Sequence, residues 1–385
     1  MKILAFTFEA PSKLYGGGLG IIQTMASLSA FADVDYVGPH FEQGDFPQIK
    51  LNNAVFLENN NPIPVKAINL FRGVTTRYYQ QWQAAVKRLN PKDYDLVFVD
   101  FSYNDFIMDW AHENNLKVVV RVHNIEQDMS ANSAHGKVHD KYWFRNVVNG
   151  WLINKREARM MAESEHLIFL TQEDRNRACE LYGEDILNRS SIVPVCMNVS
   201  EQEMISVDLP SPYILATGSL FYGPNAEGIK WLLTNVWEKL QKQNQLPGVS
   251  LVVAGRNPDA EMKEMAKNAE NCILIPSPED MTPYFQNASL YVAPVFSGAG
   301  MKVKVAEALS YGLTVIGAKH ALIGYEEAVP FCVEANTPEE FEAEILGYFS
   351  TEHDEACKKA CRERFCQLYT LGRSAQDFEQ VAKAV

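Results

Sequence analysis

Short apolar runs alternate with amphipathic stretches along nearly the whole chain. In the first half the runs are KILAFTF from Lys2, VDYVGP from Val34, DLVFVDF from Asp95, KVVVRVH from Lys117, HLIFLT from His166 and SSIVPV from Ser190. The second half continues with YILATGSL from Tyr213, VSLVVAG from Val249, CILIPS from Cys272, ASLYVAPV from Ala288, LTVIGA from Leu313 and PFCVEA from Pro330. These runs are rich in Val, Ile, Leu and Phe and apolar on both faces. A parallel strand covered by helices on both sides reads this way. Between them, Ala226 to Gln243 and Lys302 to Tyr311 carry a helical period. The alternation predicts an α/β protein of two Rossmann-like, doubly wound domains facing a cleft.

The series breaks once, at VSEQEMISVDLPSP from Val199 to Pro212, which is polar, contains Pro and has no period. This stretch reads as a linker between a first domain over residues 1–200 and a second over 205–370. The Asn-rich LNNAVFLENNNPIP from Leu51 reads as a loop or irregular edge. From Pro338 onward the pattern is helical, and the last helix, about residues 372–385, is expected to cross back onto the first domain.

Length agrees with two domains, since 385 residues exceed the roughly 250–300 at which a single core stops growing. A net charge of -13 argues against a sequence-independent nucleic-acid binder, because an acidic surface repels phosphates. It leaves room for a local basic pocket, and for peripheral membrane contact through a local patch. The first residues, MKILAFTFEAPSK, alternate like a strand and lack a small-residue cleavage site, so no signal peptide is expected. No run of roughly 18 apolar residues suggests a spanning helix. The seven Cys are odd in number and form no CxxC pair, as expected of reduced thiols in the cytoplasm.

Ligands of doubly wound sheets bind outside the carboxyl ends of the strands, so the residues just after each run matter most. After the first run comes Tyr15-Gly16-Gly17-Gly18-Leu19-Gly20, opening a helix; amides of Gly17 and Gly18 can approach an anion there. The spacing is not GxGxxG, and the next run ends without an acidic residue, which argues against a dehydrogenase. After KVVVRV stands His123, placed to hydrogen-bond a sugar hydroxyl or a reacting oxygen; a core His held by backbone groups is the plainer alternative. His112, His135 and His139 carry less information. YILATG ends at Gly218, and Ser219 to Asn225, with Tyr222, follow as another close-approach loop, but one without Lys or Arg. Arg256 follows VSLVVAG. The densest segment is Phe296-Ser297-Gly298-Ala299-Gly300-Met301-Lys302-Val303-Lys304-Val305-Ala306-Glu307. Gly298 and Gly300 permit a tight loop whose amides face an anion. Lys302 and Lys304 can supply charge to a leaving diphosphate. With a helix starting near Gly300, Lys304 and Glu307 share one face and Glu307 can take hydrogen bonds from a ribose. An ordinary helix with solvated Lys and Glu is the plainer alternative. GxxxxGK[ST], GxSxG and HExxH are all absent, and nothing requires a metal or a cofactor.

Together these segments resemble the GT-B glycosyltransferases of the large retaining family 4. The resemblance rests on GGG at Gly16, RVHNIE at Arg121, EARMMAESEHLIFLTQED from Glu157, GSLFYGPN at Gly218, VVAGRNP at Val252 and PVFSGAGMKVKVAEALSYGLTVIG from Pro294. It implies a first domain that binds the acceptor and a second that binds a nucleoside-diphosphate sugar, with UDP favoured over GDP. It implies metal-independent transfer with retention, onto a glycan, a lipid-linked or another hydroxyl acceptor, by an enzyme in the cytoplasm or at the inner face of the membrane. His123 matches the family's His near the transferred sugar, and Glu307 matches the second glutamate of its Glu-x7-Glu motif. Ala299 stands where the first glutamate would be, as in a variant subgroup with a GxGxKxK loop. Two readings stay beside this one. A non-catalytic nucleotide binder would fit the missing glutamate, and a sugar-nucleotide epimerase would draw on Asp100, Glu126 and Glu173.

Overall fold

The computed structural model describes residues 1–12, 16–58, 62, 64–65, 78–103, 105–128, 143–198, 203–221, 223–298, 300–351 and 355–385, with the backbone alone for 143–149. The chain divides into two compact units, one of Met1–Val195 with Leu371–Val385, the other of Cys196–Thr370.

The first unit is built on seven parallel strands. They are β1 (Lys2–Thr7), β2 (Asp33–Pro39), β3 (Asn53–Leu57), β4 (Leu96–Asp100), β5 (Lys117–Val122), β6 (His166–Phe169) and β7 (Ser190–Ile192), in the order β3-β2-β1-β4-β5-β6-β7. Its helices are α1 (Gly16–Leu28), α2 (Tyr79–Ala85), α3 (Phe106–Glu113), α4 (Trp143–Glu163) and α5 (Gln172–Tyr182). The central strands β1 and β4 pair in register from Ile3 with Leu96 to Thr7 with Asp100, and these ten residues are buried. Burial on both faces is why their sequences run apolar without alternation.

The second unit holds six parallel strands, β8 (Tyr213–Ser219), β9 (Ser250–Arg256), β10 (Cys272–Pro276), β11 (Leu290–Ala293), β12 (Val315–Gly317) and β13 (Cys332–Glu334). Their order is β10-β9-β8-β11-β12-β13. Helix α6 (Gly223–Leu232) runs through a π turn at Leu233–Trp237 into Glu238–Lys242. There follow α7 (Ala260–Asn268), α8 (Thr282–Asn287), α9 (Val303–Ser310), α10 (Pro338–Ser350) and α11 (Glu355–Leu368). The final helix, α12 (Leu371–Ala384), belongs to the first unit. There Ser374 and Ser27 of α1 join hydroxyls at 3.0 Å, and Phe378 meets Phe98 edge-on at 5.5 Å.

Two parallel α/β sheets are what the alternation predicts. One local expectation needs sharpening. Residues 53–57 of the Asn-rich segment, expected as a loop or irregular edge, form a regular edge strand. It was hidden because an edge strand covered on one side carries little apolar signal, and its Asn residues serve a buried partner. Asn52 and Asn53 donate to Asp35 in β2 at 3.0 and 3.2 Å, and Tyr94 donates to it at 2.9 Å. Burial pushes the Asp35 carboxyl up, yet hydrogen bonds from Lys2, Asn52, Tyr94 and Asn53 outweigh it and hold the group below its ordinary value. The stretch expected as a linker begins outside the described residues, at Val199. Its described part has no regular structure but is tied to the second unit. The Ile205 amide donates to Gln286 at 3.0 Å, and Asn287 donates to the Ile205 carbonyl at 2.8 Å. Among the described residues no helix is long and apolar enough to cross a membrane.

Candidate functional site

In the first unit the residues of interest gather where β1, β4 and β5 end. His123 directly follows β5 and is nearly buried, at 5% exposure. Its Nε2 meets an oxygen of the Asp100 carboxylate, at the end of β4. Phe101 stacks on the imidazole, with centroids 4.3 Å apart and planes 24° from parallel. To do so Phe101 takes a φ of +77°, a left-handed conformation that costs an aromatic residue roughly 1–2 kcal/mol. Gly20, one turn into α1, closes the other side: a Cβ there would stand 2.5 Å from the His123 Cε1. The ring is thus clamped on three sides, and its Nε2 is committed to Asp100. The second Asp100 oxygen is buried and meets no hydrogen-bond donor among the described residues.

Glu157 of α4 supplies a second buried carboxylate. It accepts from the Ser102 hydroxyl at 2.9 Å, the Glu126 and Gln127 amides at 2.8 and 2.9 Å, and the Tyr182 hydroxyl at 2.7 Å. Through the Glu126 and Gln127 amides it fixes the turn after His123 in place, which sequence reasoning missed because a Glu inside a polar helix gives no sign that it faces inward. Beside it, the Glu126 carboxyl is pushed up to about 8 by burial and by the negative charges of Glu157 and Glu9. Such a group titrates near neutral pH, the range in which a proton acceptor is useful. Glu173, by contrast, is exposed in the first turn of α5. Gly17 and Gly18 lie in the first turn of α1, and a Cβ at Gly18 would strike Ser12 at 2.6 Å.

In the second unit the carboxyl ends of β8 and β11 carry the predicted residues. Gly218 ends β8 against Asn225, which a Cβ on Gly218 would meet at 2.7 Å. Gly298 and Gly300 after β11 have φ of +99° and +66°, so both use the freedom their residue type was expected to provide. A Cβ on Gly298 would approach Pro224 at 3.3 Å, so the loops after β8 and β11 meet. Arg256 ends β9, which β8 separates from β11; its carbonyl accepts from the Leu220 amide at 2.9 Å.

Helix α9 starts at Val303, with Lys302 at the cap position, and not near Gly300. The positive φ angles keep Gly298 and Gly300 out of the helix. The Lys302 ammonium is turned onto the loop after β11. It donates to the Gly298 and Gly300 carbonyls at 3.1 and 2.8 Å and lies 3.4 Å from His320 Nε2. His320, which sequence reasoning passed over, also contacts the Gly298 carbonyl. Its only signal was its position three residues beyond β12. The buried Tyr325 donates to the Lys302 carbonyl at 2.9 Å and anchors the end of the loop. Lys304 and Glu307 are three apart on α9 and pair at 2.6 Å, with the Lys304 ammonium also 5.8 Å from the Phe285 ring. Tyr15, Tyr222, Ala299, His135 and His139 lie outside the described residues.

Comparison with known proteins places this second half. Residues 211–350 match the family described as glycosyl transferases group 1. The chain is a glycosyltransferase of the GT-B fold. A Klebsiella pneumoniae relative, an uncharacterized 44.6 kDa protein in the cps region, is 23% identical over 335 residues, or 82% of either chain. A solved glycosyltransferase from Rickettsia africae superposes with a TM-score of 0.67 at 13% identity, over all of this chain and 98% of that one. HepE from Anabaena, solved in complex with UDP, gives 0.64 at 12% identity, with both chains covered in full. The glycosyltransferase thus carries its group 1 match entirely within the unit that holds Gly298, Lys302, Lys304 and Glu307.

Proposed function

We propose that the enzyme transfers a sugar, with retention, from a nucleoside-diphosphate sugar to a hydroxyl of a glycan or lipid-linked acceptor, and that UDP is the nucleotide. The observation that carries this is the loop after β11. Two left-handed glycines, two lysines and Glu307 stand together at the carboxyl end of a parallel strand, inside the family match. Loop amides and lysines suit a diphosphate, whose negative charge grows as the sugar–oxygen bond breaks. Glu307 would hold the ribose, and the second unit as a whole, residues 205–370 in our reading, would hold the donor. The UDP bound to HepE supports the choice of base, and the cps-region relative supports a polysaccharide acceptor.

In this reading the first unit, residues 1–200 with the last helix, binds the acceptor, and His123 contacts the transferred sugar. The acceptor oxygen attacks the anomeric carbon on the face from which the diphosphate departs. Its proton passes to a leaving phosphate oxygen, so that no separate base is required and the configuration is kept. The lysines supply the charge stabilisation without a metal, which is also what the GxGxKxK loop suggests. Lys302 would first exchange the Gly298 and Gly300 carbonyls for phosphate oxygens.

A thermal-shift screen with UDP, GDP, ADP, CDP and dTDP, with and without EDTA, tests the reading. UDP alone should raise the melting temperature, equally in both conditions. Ligand at a hundred times its dissociation constant adds about 2.7 kcal/mol to folding stability, easily seen in such a screen. A shift with GDP alone would replace the base, dependence on divalent metal would overturn the metal-free donor site, and no shift with any nucleotide would overturn the donor site itself.

A further inference from the structure

The first unit has a groove of about 580 Å³ that none of the steps above uses. One wall is the Ala10–Ser12 segment that follows β1; the other is the turn after β2, with His40, Glu42 and Asp45. It opens at the carboxyl ends of two neighbouring parallel strands, where such sheets bind ligands. Its floor is rigid and aromatic. Phe41 and Phe46 are buried, Tyr36 meets Phe41 edge-on at 5.2 Å, and the Tyr36 hydroxyl donates to the Pro39 carbonyl at 2.9 Å. The rim is polar and accessible. The His40 and Glu42 side chains are 56% and 76% exposed and stand 3.6 Å apart, and the His40 ring leans on the half-exposed Phe56 at 4.7 Å.

The chemistry of this lining is selective. Carboxylates and an imidazole accept and donate hydrogen bonds as sugar hydroxyls require, and aromatic surface suits the C–H faces of a pyranose. Among the described residues none that lines the groove is Lys or Arg, whereas Glu42 and Asp45 both bring negative charge. A phosphate or uronate in the groove would meet two like charges and, among the described lining residues, no Lys or Arg. The groove is also connected to the reacting end through α1. The Ser12 amide donates to the Gly18 carbonyl at 3.3 Å, and Gly20, within the same turn, backs onto His123.

We infer that this groove is the acceptor subsite and that it takes an uncharged glycan end, not a phosphorylated or acidic sugar. The inference rests on the transferase reading and adds the acceptor class to it. Saturation-transfer NMR on the full chain in the presence of UDP tests it, with maltose and cellobiose as neutral probes and glucose 6-phosphate and glucuronic acid as their anionic counterparts. The neutral sugars should be saturated and the anionic ones not. Glu42→Lys and Asp45→Lys, both at the solvated rim, should weaken the neutral signal at least tenfold and leave the UDP-induced thermal shift unchanged. Preference for an anionic sugar in the unmodified enzyme, or neutral binding indifferent to both substitutions, overturns the inference. A UDP shift without groove binding sinks this inference alone, whereas absence of the UDP shift sinks the donor reading on which it rests.

Discussion

The two strand-end regions solve the same problem in opposite ways. In the first unit the functional groups are buried and committed to one another: His123 to Asp100, and Glu157 to four donors from three different elements. In the second unit the groups stand at a half-exposed loop and borrow partners from their own backbone or helix, Lys302 from loop carbonyls and Lys304 from Glu307. The first arrangement is preorganised, and its cost is met during folding. The second is held in reserve, since each borrowed partner can be exchanged for a ligand oxygen. The contrast teaches where mutations register: as stability in the first region, as binding and turnover in the second.

The largest effect should come from Glu157→Ala. Removing a carboxylate that satisfies four donors strands buried polar groups, each costing about 1–3 kcal/mol when unmet. Relaxation recovers part of this, so an overall loss of about 3–5 kcal/mol is expected. Urea denaturation followed by tryptophan fluorescence measures it. A loss under 1 kcal/mol would break the claim that this region is preorganised. Next comes the double change Lys302→Ala with Lys304→Ala. Removing one donor to a developing oxyanion typically costs 10²–10³-fold in turnover. The pair should lose at least that much with little change in melting temperature, and unchanged turnover would end their leaving-group role.

A pH measurement sharpens the contrast further. The Glu126 carboxyl is raised in the folded state from about 4.5 to about 8, so the folded protein holds an extra proton between those values. Stability contributed by this group is therefore full in acid and falls as pH rises through that window, levelling above it. Glu126→Gln should flatten the decline in urea midpoint between pH 5 and 8. An identical pH profile in the variant would show that Glu126 is ordinary.

How much of this was readable beforehand differs between the two regions for a physical reason. Apolar runs report burial directly, so the fold class and all the strands but β3 were legible; β3 was not, because an edge strand of Asn and half-exposed side chains has no such signature. The loop after β11 was legible because Gly, Lys and Glu at fixed spacing constrain local backbone and charge within a few residues. The partners of His123 and Glu126 were not. Asp100 with Phe101, Gly20 and Glu157 come from three separate stretches, and only the folding of strands and helices onto one sheet brings them together. His320 was missed in the same way, being brought to Gly298 by the pairing of β11 with β12. The helical period from Lys302 located α9 to within a residue, whereas the start near Gly300 taken for the Lys304–Glu307 face overlooked the positive φ that keeps Gly300 out of the helix.

The smallest effect, and the most discriminating, is expected from Glu307→Ala. In the folded chain Glu307 has Lys304 as its main described partner, an i,i+3 pair with the lysine side chain 41% exposed. Pairs of that kind contribute only about 0.3–0.5 kcal/mol, so the substitution should shift stability by no more than that. If Glu307 instead serves the ribose, its removal takes away a charge-assisted hydrogen bond to the ligand, worth about 1.5–3 kcal/mol. Calorimetric titration with UDP should then show at least a tenfold weaker dissociation constant against an almost unchanged melting temperature. Glu307→Gln keeps the acceptor oxygen but not the charge, and should recover part of the affinity. Loss of stability without loss of UDP affinity would reverse the assignment: Glu307 would be a structural partner of Lys304, and the second region would be no more reserved for a ligand than the first.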